Sequence, residues 1–491
     1  MYDNARFQAL VEEDRPTGEV VAVDRALIKV KGLEAVAGGA LVLFDNGAQG
    51  MVREASESGA TILNLSTDDV PMGSLAVVED GIISIGCGDA LIGRVVSAMG
   101  KPIDGLGPIG LTAHRPVFNP APGVIERALL KDPLPTGVAM VDSLFPMVLG
   151  QRVAILGDSK AGKTAFVSQM VTSQRGSDRI VIYCLIAKRK VDVDTLVSKL
   201  QETGSLHHTI VVVSSIFDSL AQSYLAPYSA CAMGEHFWYG GRNVIMVYDD
   251  LSSHAKAYRE LSLLARGNPG RESYPGDMFY AHSSLLERAG KLASNGATMS
   301  ALPVVLTPGN DITAYLPTSL ISITDGQIVF DLESFRKGIR PAVSRGLSVS
   351  RVGGRGQNSR QKKLTSNLFK AMINYDQAAE FARFGSEMAA ESMAAVGMGK
   401  RIYEAFKQPP DEIYSLVEQE VFLTAVLKTP GNITFNVDPA RRQARELAKT
   451  ITTEAELDAA IAKVMADNAV HPFVEADEPD PAEQAKAGVA T

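Results

Sequence analysis

The sequence predicts a multi-domain chain with a small N-terminal β-barrel, a central α/β domain built on a mostly parallel sheet, and a C-terminal α-helical bundle. Three observations predict this class. Short alternating apolar runs broken by glycine fill the first part of the chain, which is typical of small barrels. Apolar strands then alternate with helical stretches between residues 150 and 355, as in βαβ units. The last third has helical apolar spacing and many Ala, Glu, Lys and Arg residues.

The domain boundaries follow from these changes in composition and apolar spacing. We place the barrel at 1–90 and the α/β domain at 91–360, with a proline- and glycine-rich lead-in at 91–150 that wraps a domain surface. The helical bundle occupies 361–470, with helices expected at 359–384, 386–407, 412–427 and 438–449. The acidic tail at 471–491 is expected to be disordered.

Composition narrows the possible functions. With 46% hydrophobic and 21% charged residues, the chain can form sizeable cores. Its 48 basic and 56 acidic residues leave a net charge of −8, which argues against a protein that coats nucleic acid. The three cysteines have no CxxC spacing, so we expect a reducing compartment and neither a disulfide framework nor a cysteine metal site. The N-terminus lacks a signal-peptide pattern, and no apolar run approaches the roughly 18 residues of a membrane span.

The barrel strands are the first elements along the chain. Four strands are predicted, at Gly18–Val23, Ala26–Lys31, Ala40–Phe44 and Thr61–Leu65. Asn46-Gly47 predicts a hairpin turn after the third of these strands, because this dipeptide adopts positive φ at little cost. The loops offer no chemistry, so we assign the barrel to assembly.

A phosphate-binding loop dominates the central domain. Gly157-Asp-Ser-Lys-Ala-Gly-Lys-Thr164 fits the pattern GxxxxGK[ST], between a strand-like run at 152–156 and a helical run at 165–170. Backbone N–H groups of such a loop surround phosphate oxygens, and the following helix adds its positive dipole end. The predicted contacts to ATP or ADP are Gly157, Asp158, Ser159, Lys160, Ala161, Gly162, Lys163, Thr164 and Ala165. Lys163 reaches the β- and γ-phosphates, and the Thr164 hydroxyl holds Mg²⁺.

A second part of the nucleotide site is expected at the end of another strand. Further parallel strands are predicted at 153–156, 180–187, 210–214, 244–248 and 304–307. The fourth of these ends in Asp249-Asp250. A carboxylate at such a strand end holds the hydration shell of Mg²⁺ opposite the phosphate loop, and we assign that role to Asp249.

Several longer motifs carry a family resemblance. They are Tyr248-Asp-Asp-Leu-Ser252, Ala257-Tyr-Arg-Glu-Leu-Ser-Leu-Leu264, Pro269-Gly-Arg-Glu-Ser-Tyr-Pro-Gly-Asp277, His282-Ser-Ser-Leu-Leu-Glu-Arg288, Ile323-Thr-Asp-Gly-Gln-Ile328 and Gly346-Leu-Ser-Val-Ser-Arg-Val-Gly353. With these motifs, the chain resembles the α subunits of F-type rotary ATP synthases from about Gly18 to Ala448. The resemblance implies a RecA-like central domain. It also implies three copies that alternate with three catalytic β-type subunits around a γ-type rotor stalk.

The resemblance also implies that this chain is not the catalytic one. Catalytic β subunits carry a glutamate just after the strand that follows the phosphate loop, where it orients the attacking water. This position holds Lys188 here, whereas α subunits carry glutamine. An ammonium cannot accept the proton of that water. Asp192 and Asp194 lie nearby in sequence but are expected to point elsewhere. We therefore expect a site that binds Mg-nucleotide and hardly turns it over.

Four further residues take roles from the resemblance. Arg351 matches the α-subunit arginine that reaches the neighbouring catalytic site, where it acts in trans as an arginine finger. Phe335, Arg340 and Gln408 match positions that line the base pocket of the chain's own nucleotide. The chain departs from the family pattern in its phosphate loop (159–161), at 344 and 410, and in its short lead before the barrel (1–15). That short lead puts conventional attachment to a peripheral stalk in doubt.

The expected protein is thus a non-catalytic α-type subunit that couples ATP turnover to ion movement. It is expected on the cytoplasmic face of a membrane, such as a bacterial inner membrane, joined to the membrane sector only through other subunits and bound to no nucleic acid. Three alternatives remain. A catalytic homohexameric secretion ATPase requires a carboxylate in place of Lys188. A nucleic-acid translocase of the transcription-termination type requires exposed aromatic and basic side chains on the barrel. A nucleotide-binding structural protein has no use for Arg351.

Overall fold

The computed structural model describes residues 4–24, 26–383 and 390–470 of the chain. Contacts within the chain divide the described residues into two units. The first takes its residues from Met1–Thr136, Phe145–Gly338 and Ala342–Gly356. The second takes its residues from Gly137–Leu144, Ile339–Pro341 and Gln357–Thr491. The barrel and the α/β fold therefore belong to one unit, and the helical unit includes two short segments from the middle of the chain.

The N-terminal strands form a barrel, as predicted. They are β1 (Thr17–Asp24), β2 (Leu27–Lys31), β3 (Leu41–Phe44), β4 (Gln49–Ser56), β5 (Gly59–Asn64) and β6 (Leu75–Asp80). Within the described residues these six strands close in the order β1-β2-β5-β4-β3-β6. Val20, Ile28 and Ile62 are buried inside, because alternate residues of each strand face inward. A short helix, α1 (Asn4–Glu12), precedes the barrel, and its Phe7 and Leu10 pack against β3 and β6.

The chain between the barrel and the central sheet, which includes the proline- and glycine-rich segment (91–150), forms short strands and is more than a surface wrap. They are β7 (Ser84–Cys87), β8 (Val95–Ser97), β9 (Ala113–Pro116), β10 (Pro133–Leu134) and β11 (Met147–Val148). β7 pairs with β9 and β10 pairs with β11. β8 instead joins the edge of the central sheet, parallel to Val211–Val213. A strand of three residues is too short to show alternation, so the sequence pattern does not reveal it. The helix α2 (Ala139–Leu144) belongs to the second unit.

The central sheet confirms the α/β prediction. Its further strands are β12 (Ala154–Gly157), β13 (Ile180–Lys188), β14 (Thr209–Ser215), β15 (Val244–Asp249), β16 (Gly290–Lys291), β17 (Thr298–Leu306), β18 (Gly326–Phe330) and β19 (Val349–Ser350). Within the described residues they form a nine-stranded sheet with main path β19-β18-β12-β17-β15-β13-β14-β8, and β16 pairs with β17. Neighbours from β18 to β8 are parallel. β17 begins at Thr298 rather than at the predicted Val304.

Helices connect the strands of the central sheet and pack against it. They are α3 (Lys163–Ser173), α4 (Lys190–Glu202), α5 (Leu220–Tyr239), α6 (Leu251–Leu264), α7 (Met278–Leu286), α8 (Tyr315–Ile323) and α9 (Leu332–Arg336). α5 is buried along most of its length, and Trp238 donates a hydrogen bond to the Ala297 carbonyl at 3.0 Å. The carboxyl ends of the parallel strands lie at one edge of the sheet, where α/β proteins of this kind bind ligands.

A buried ion pair connects α5 to the segment that follows α7. Arg288 and Glu235 are 1% and 0% exposed, and two N–H···O bonds of 2.7 Å join them. Arg288 also donates to the Val117 carbonyl at 2.8 Å, and Asn119 donates to Glu235 at 3.1 Å. The pair is therefore hydrogen-bonded on both sides, as buried charges must be.

The second unit is helical, as predicted. Besides α2 it contains α10 (Ser359–Arg383), α11 (Ala390–Phe406), α12 (Leu416–Lys428), α13 (Val437–Ala448) and α14 (Glu454–Asn468), with a small pair of strands, β20 (Thr434–Phe435) and β21 (Ala469–Val470). α12 begins after Ser415, whose hydroxyl caps it in a reciprocal pair with Glu418, so the predicted start at Glu412 is too early. The sequence prediction missed α14. The junction at 384–389 and the predicted acidic tail at 471–491 lie outside the described residues.

None of the helices in the described ranges is long and apolar enough to cross a membrane.

Candidate functional site

The phosphate loop joins the carboxyl end of β12 to the start of α3, as the motif predicts. Gly157 and Gly162 have φ of 156° and 107°, a region that side chains rarely adopt. A Cβ atom on Gly157 would lie 2.8 Å from the Phe330 carbonyl oxygen, so the neighbouring strand β18 also requires glycine there. Gly162 precedes the first helical residue of α3, and the unpaired N–H groups of the first turn are suited to an anion.

Lys163 is held inside this loop. The residue is 7% exposed, and its ammonium donates to the carbonyls of Gly157 and Asp158 at 2.8 and 2.7 Å. Burial lowers the pKa of Lys163 to about 8, while the nearby carboxylates, Asp250 foremost, act in the opposite direction. Near pH 7 the side chain is therefore mostly protonated. Its ammonium lies against the loop backbone, next to the place that a bound phosphate would occupy.

Asp158 braces the loop from its other side. One carboxylate oxygen accepts from the Ser159 N–H at 2.6 Å, and the other accepts from the Gly309 N–H at 2.9 Å. Ser159 and Lys160 are exposed, whereas Ala161 is buried. The sequence placed Asp158 in the loop but could not show that it links the loop to the segment after β17.

Two aspartates and a lysine form a cluster at the ends of β13 and β15. The Lys188 ammonium lies 2.8 Å from Asp249 Oδ1 and 3.0 Å from Asp250 Oδ2. Asp249 Oδ2 accepts from the Tyr183 hydroxyl at 3.1 Å. Asp250 Oδ1 accepts from the Ser253 N–H at 2.6 Å and so caps α6. We call these four side chains, Lys188, Tyr183, Asp249 and Asp250, the Lys188 cluster.

The neighbouring groups of the Lys188 cluster stabilise the protonated forms of Lys188 and Tyr183. Burial acts to lower the pKa of Lys188, but Asp249 and Asp250 outweigh it and raise this pKa above its ordinary value. Burial also raises the pKa of Tyr183, so its hydroxyl keeps its proton and donates to Asp249. Lys188 is therefore a fixed cation. A protonated lysine cannot serve as a base toward water near neutral pH.

A cavity of about 510 Å³ lies beside the cluster and the start of α3. Thr164, Ala165 and Asp249, three of the predicted site residues, line it together with Lys188 and Tyr183. Sequence reasoning missed Tyr183, although a hydroxyl inside the otherwise apolar run of β13 was a signal. The cavity brings the phosphate loop and the end of β15 to one site, as the prediction requires.

Asp192 lies close to the site. It lies in the first turn of α4 and is among the residues that line the same cavity, and the expectation that its carboxylate points away from an attacking water stays a prediction. Its two carboxylate oxygens accept from Arg189 at 2.9 Å each, and Arg189 lowers the pKa of Asp192. Asp194 is exposed and is not among the residues that line the cavity. A carboxylate in this ion pair is a weak base.

The two predicted Mg²⁺ ligands differ in the hydrogen bonds that they already make. Thr164 is exposed and lines the cavity, so its hydroxyl is available. Asp249 lies across the same cavity, but both of its carboxylate oxygens already have donors, one of them an ammonium. Each carboxylate oxygen has two lone pairs, so each oxygen of Asp249 keeps one for a metal-bound water. The roles of Thr164 and Asp249 as Mg²⁺ ligands stay predictions.

The predicted base-pocket residues fall in different units. Phe335 lies in α9 of the first unit, and its ring is 4.0 Å from where a Cβ on Gly162 would stand. Arg340 and Gln408 belong to the second unit. Gln408 is 5% exposed, and its amide bonds the Gly137 carbonyl at 2.7 Å and the Ala139 N–H at 2.9 Å. The nucleotide contacts of these three residues stay predictions.

Arg351 lies at the opposite end of the sheet from the phosphate loop. It follows β19, which runs antiparallel to β18 with Ser350 opposite Gly326. The phosphate loop starts beside Phe330, at the other end of β18, about 13 Å away at the ordinary rise per residue. Arg351 is exposed, and its only described side-chain hydrogen bond is a long one of 3.5 Å to the Thr324 carbonyl. This backbone position places it away from the chain's own phosphate loop.

The loop that carries Arg351 is held firmly. Ser350 donates from its hydroxyl to the Pro146 carbonyl at 2.5 Å. A Cβ on Gly353 would stand 1.6 Å from the same carbonyl oxygen, so only glycine fits there. An exposed arginine on a well-anchored loop is suited to a ligand or partner outside the chain.

These features define a phosphate-loop nucleotide-binding protein of the α/β class, with a lysine at the end of the strand that follows the phosphate loop and α3. Comparison with known families makes this more specific. The family "ATP synthase alpha/beta family, nucleotide-binding domain" matches residues 137–350, and "ATP synthase alpha/beta chain, C terminal domain" matches residues 357–469. The chain belongs to the ATP synthase alpha/beta family.

Similar proteins agree with this assignment. The ATP synthase subunit alpha of Clostridium botulinum is 41% identical over 442 residues, which is 89% of this chain and 87% of that protein. The subunits of the same name from Pediococcus pentosaceus and Limosilactobacillus fermentum are 42% and 43% identical, over 86% of this chain and 84% and 83% of theirs. The resemblance to α subunits inferred from the motifs is thereby confirmed.

Replacing Lys163 tests the phosphate loop directly. We expect Lys163→Ala to weaken nucleotide binding by the purified chain on the order of 10- to 100-fold, since a charge-assisted hydrogen bond to phosphate is lost. Fluorescence titration with a trinitrophenyl analogue of ATP measures the affinity. Lys190→Ala is the matched control, because Lys190 is exposed at the start of α4 and is not among the residues that line the cavity. Equal affinities of the two variants would contradict the assignment.

Proposed function

We propose that this chain is the non-catalytic α-type subunit of a rotary ATP synthase or ATPase. It binds nucleotide at its own phosphate loop and alternates with catalytic β-type subunits around a γ-type stalk. The names of the similar proteins support the subunit type. The observation that carries the non-catalytic role is Lys188, which stands at the end of β13 in an ion pair with Asp249 and Asp250. Without a carboxylate there, water is not activated.

The second part of the proposal concerns a residue of this chain that acts in the catalytic site of the adjacent subunit. We propose that Arg351 enters the adjacent β-type site and stabilises the negative charge of the transferring phosphoryl group. Its exposure, its anchored loop and its place at the far end of β18 support a role outside the chain. A site shared between two chains also lets hinge motions of the neighbours change the distance between arginine and phosphate.

Mg²⁺ belongs to this proposal as the companion of the nucleotide. We propose that the Thr164 hydroxyl binds Mg²⁺. We also propose that Asp249 binds a water of the metal, in competition with its ion pair to Lys188. When bound, the metal neutralises phosphate charge. Phe335, Arg340 and Gln408 keep their proposed place around the base. The assembly couples ATP synthesis or hydrolysis to ion translocation, with this chain peripheral to the membrane and attached through other subunits.

Activity of the chain alone and in the complex tests this proposal. We expect the purified chain to bind ATP but to hydrolyse it at a negligible rate, because its site lacks a base. Addition of the β- and γ-type subunits from the same organism is expected to give sustained hydrolysis. Phosphate release measured at equal site concentration compares the two. Robust turnover by the isolated chain would contradict the proposal and favour a catalytic homohexamer.

A further inference from the structure

The segment of residues 123–130, which precedes β10, carries three apolar side chains that are open to solvent. Val124, Ile125 and Leu129 are 89%, 95% and 77% exposed, and the first two values are the highest among the large apolar residues that the structure describes. Single exposed apolar residues scattered over a surface are normal, but three within six residues of chain form a group. Such a group is suited to contact with another protein.

The 123–130 segment is held firmly against the central sheet. Arg127 donates to the backbone carbonyls of Glu287 and Ala289, the latter at 2.7 Å. The Ala128 N–H donates to the carbonyl of Lys291, in β16, at 2.9 Å. The apolar side chains are therefore presented on an ordered backbone, and a partner that binds them has little backbone to order.

A continuous series of contacts leads from this segment to Arg351. Glu287, whose carbonyl binds Arg127, pairs through its carboxylate with Arg152 at 2.8 Å. Arg152 also pairs with Asp325 at 2.9 Å, and the Asp325 carbonyl accepts from the Arg351 N–H at 3.1 Å. The segment and Arg351 therefore lie at the same end of the central sheet, opposite to the phosphate loop.

The separation of these two features suits one interface. Between β19 and the 123–130 segment lie β18, the start of β12 and β16. Four steps of the ordinary strand spacing amount to about 20 Å. A standard interface covers about 800 Å² on each partner, which is a patch roughly 30 Å across. The charges between the two features, Arg152 with Glu287 and Asp325, are paired within the chain, so this part of the surface offers mainly apolar contact.

We infer that the 123–130 segment is the apolar anchor through which this chain holds the β-type subunit whose site Arg351 enters. The inference rests on the proposed function for the identity of that neighbour, and it goes further by naming the residues that hold it. Val124, Ile125 and Leu129 pack against an apolar surface of the neighbour. Because the contacts described above connect the segment to Arg351, this packing also sets the position of the arginine relative to the neighbouring site.

Association of the two purified subunits tests the inference. We expect the double variant Val124→Ser with Ile125→Ser to bind the β-type subunit of the same organism about 10-fold or more weakly than wild type, as for the loss of a central apolar contact. Sedimentation velocity measures the affinity. Leu106→Ser is the matched control and is expected to bind as wild type. Leu106 is 70% exposed, and its turn is bound to β8, at the opposite edge of the sheet.

Hydroxyl-radical labelling of the wild-type chain, read by mass spectrometry, gives a second readout that needs no variant. We expect labelling of Val124, Ile125 and Leu129 to fall in the complex, because the three side chains become buried, and labelling of Leu106 to stay the same. Unchanged labelling of the segment, or a double variant that binds as tightly as wild type or no more weakly than Leu106→Ser, overturns the inference while the proposed function stands.

Two further outcomes identify a different occupant or none. Labelling of the segment that falls in the chain alone as its concentration rises would assign the segment to a second copy of this chain and overturn the inference. A wild-type chain that forms no complex with the β-type subunit overturns the proposed function and the inference together.

Discussion

Arg351→Ala is expected to lower the ATPase activity of the reconstituted complex by about 10³-fold or more, the range known for arginine fingers. The physical reason is the loss of a guanidinium that faces the transferring phosphoryl group of the neighbouring subunit. Nucleotide binding by the isolated chain is expected to stay unchanged, because Arg351 lies at the far end of β18 from its own phosphate loop. Steady-state hydrolysis by the complex and titration of the isolated chain give the two readouts.

Arg355→Ala is the matched control for this experiment. Arg355 is also exposed and lies only four residues further along the same anchored loop, so it shares the local charge and the local fold. We expect its replacement to leave hydrolysis within a few-fold of wild type, as for exposed charges away from a site. If the two variants reduced activity alike, a general effect on assembly would explain the loss, and the finger role would be refuted.

Glu235→Ala is expected to lower the free energy of unfolding of the first unit by about 3–5 kcal/mol, because it leaves the Arg288 guanidinium buried without a counter-charge. Arg288 is 1% exposed, and only its hydrogen bond to the Val117 carbonyl would remain among the contacts described above. Denaturant titration of the purified chain, followed by Trp238 fluorescence, measures the change. Trp238 lies in the same helix as Glu235 and is the only tryptophan of the sequence.

Two controls separate the buried charge from the lost contacts. The double variant Glu235→Met with Arg288→Met replaces both charges by apolar side chains and is expected to recover much of the stability. Glu333→Ala removes an exposed i,i+4 pair with Lys337 in the same unit and is expected to change stability little. A Glu235→Ala variant as stable as Glu333→Ala would show that the buried pair does not stabilise the unit.

The parts of the site that are local in sequence could be predicted well. The phosphate loop needs glycines at 157 and 162 and a lysine at 163, and these requirements come from backbone geometry within eight residues. The parallel strands were visible because strands buried on both faces read as continuous apolar runs. Asp249 could be placed at a strand end for the same reason.

The parts that depend on pairing across the sheet could not be predicted. Lys188 was recognised as a residue that cannot act as a base, but its contact with Asp249 and Asp250 requires β13 and β15 to be neighbours, with Leu185 opposite Asp249. Asp192 lines the cavity because of how α4 packs after β13, which the neighbouring sequence does not reveal. β8, β18 and β19 were missed as strands, since runs of two to five residues carry too little pattern.

The second unit combines segments that are far apart in the sequence, and this affects how the chain folds during synthesis. Gln408 is hydrogen-bonded to Gly137 and Ala139, and Gln419 is hydrogen-bonded to Asp142, over separations of 271, 269 and 277 residues. Contacts of such sequence separation form late, since a long loop must close first. Residues 137–144 are thus made early, but Gln408, which follows α11, and Gln419, in α12, must leave the ribosome before these hydrogen bonds form. A fragment that starts at Gln357 would lack those partners altogether, so the helical unit is completed only near the end of translation.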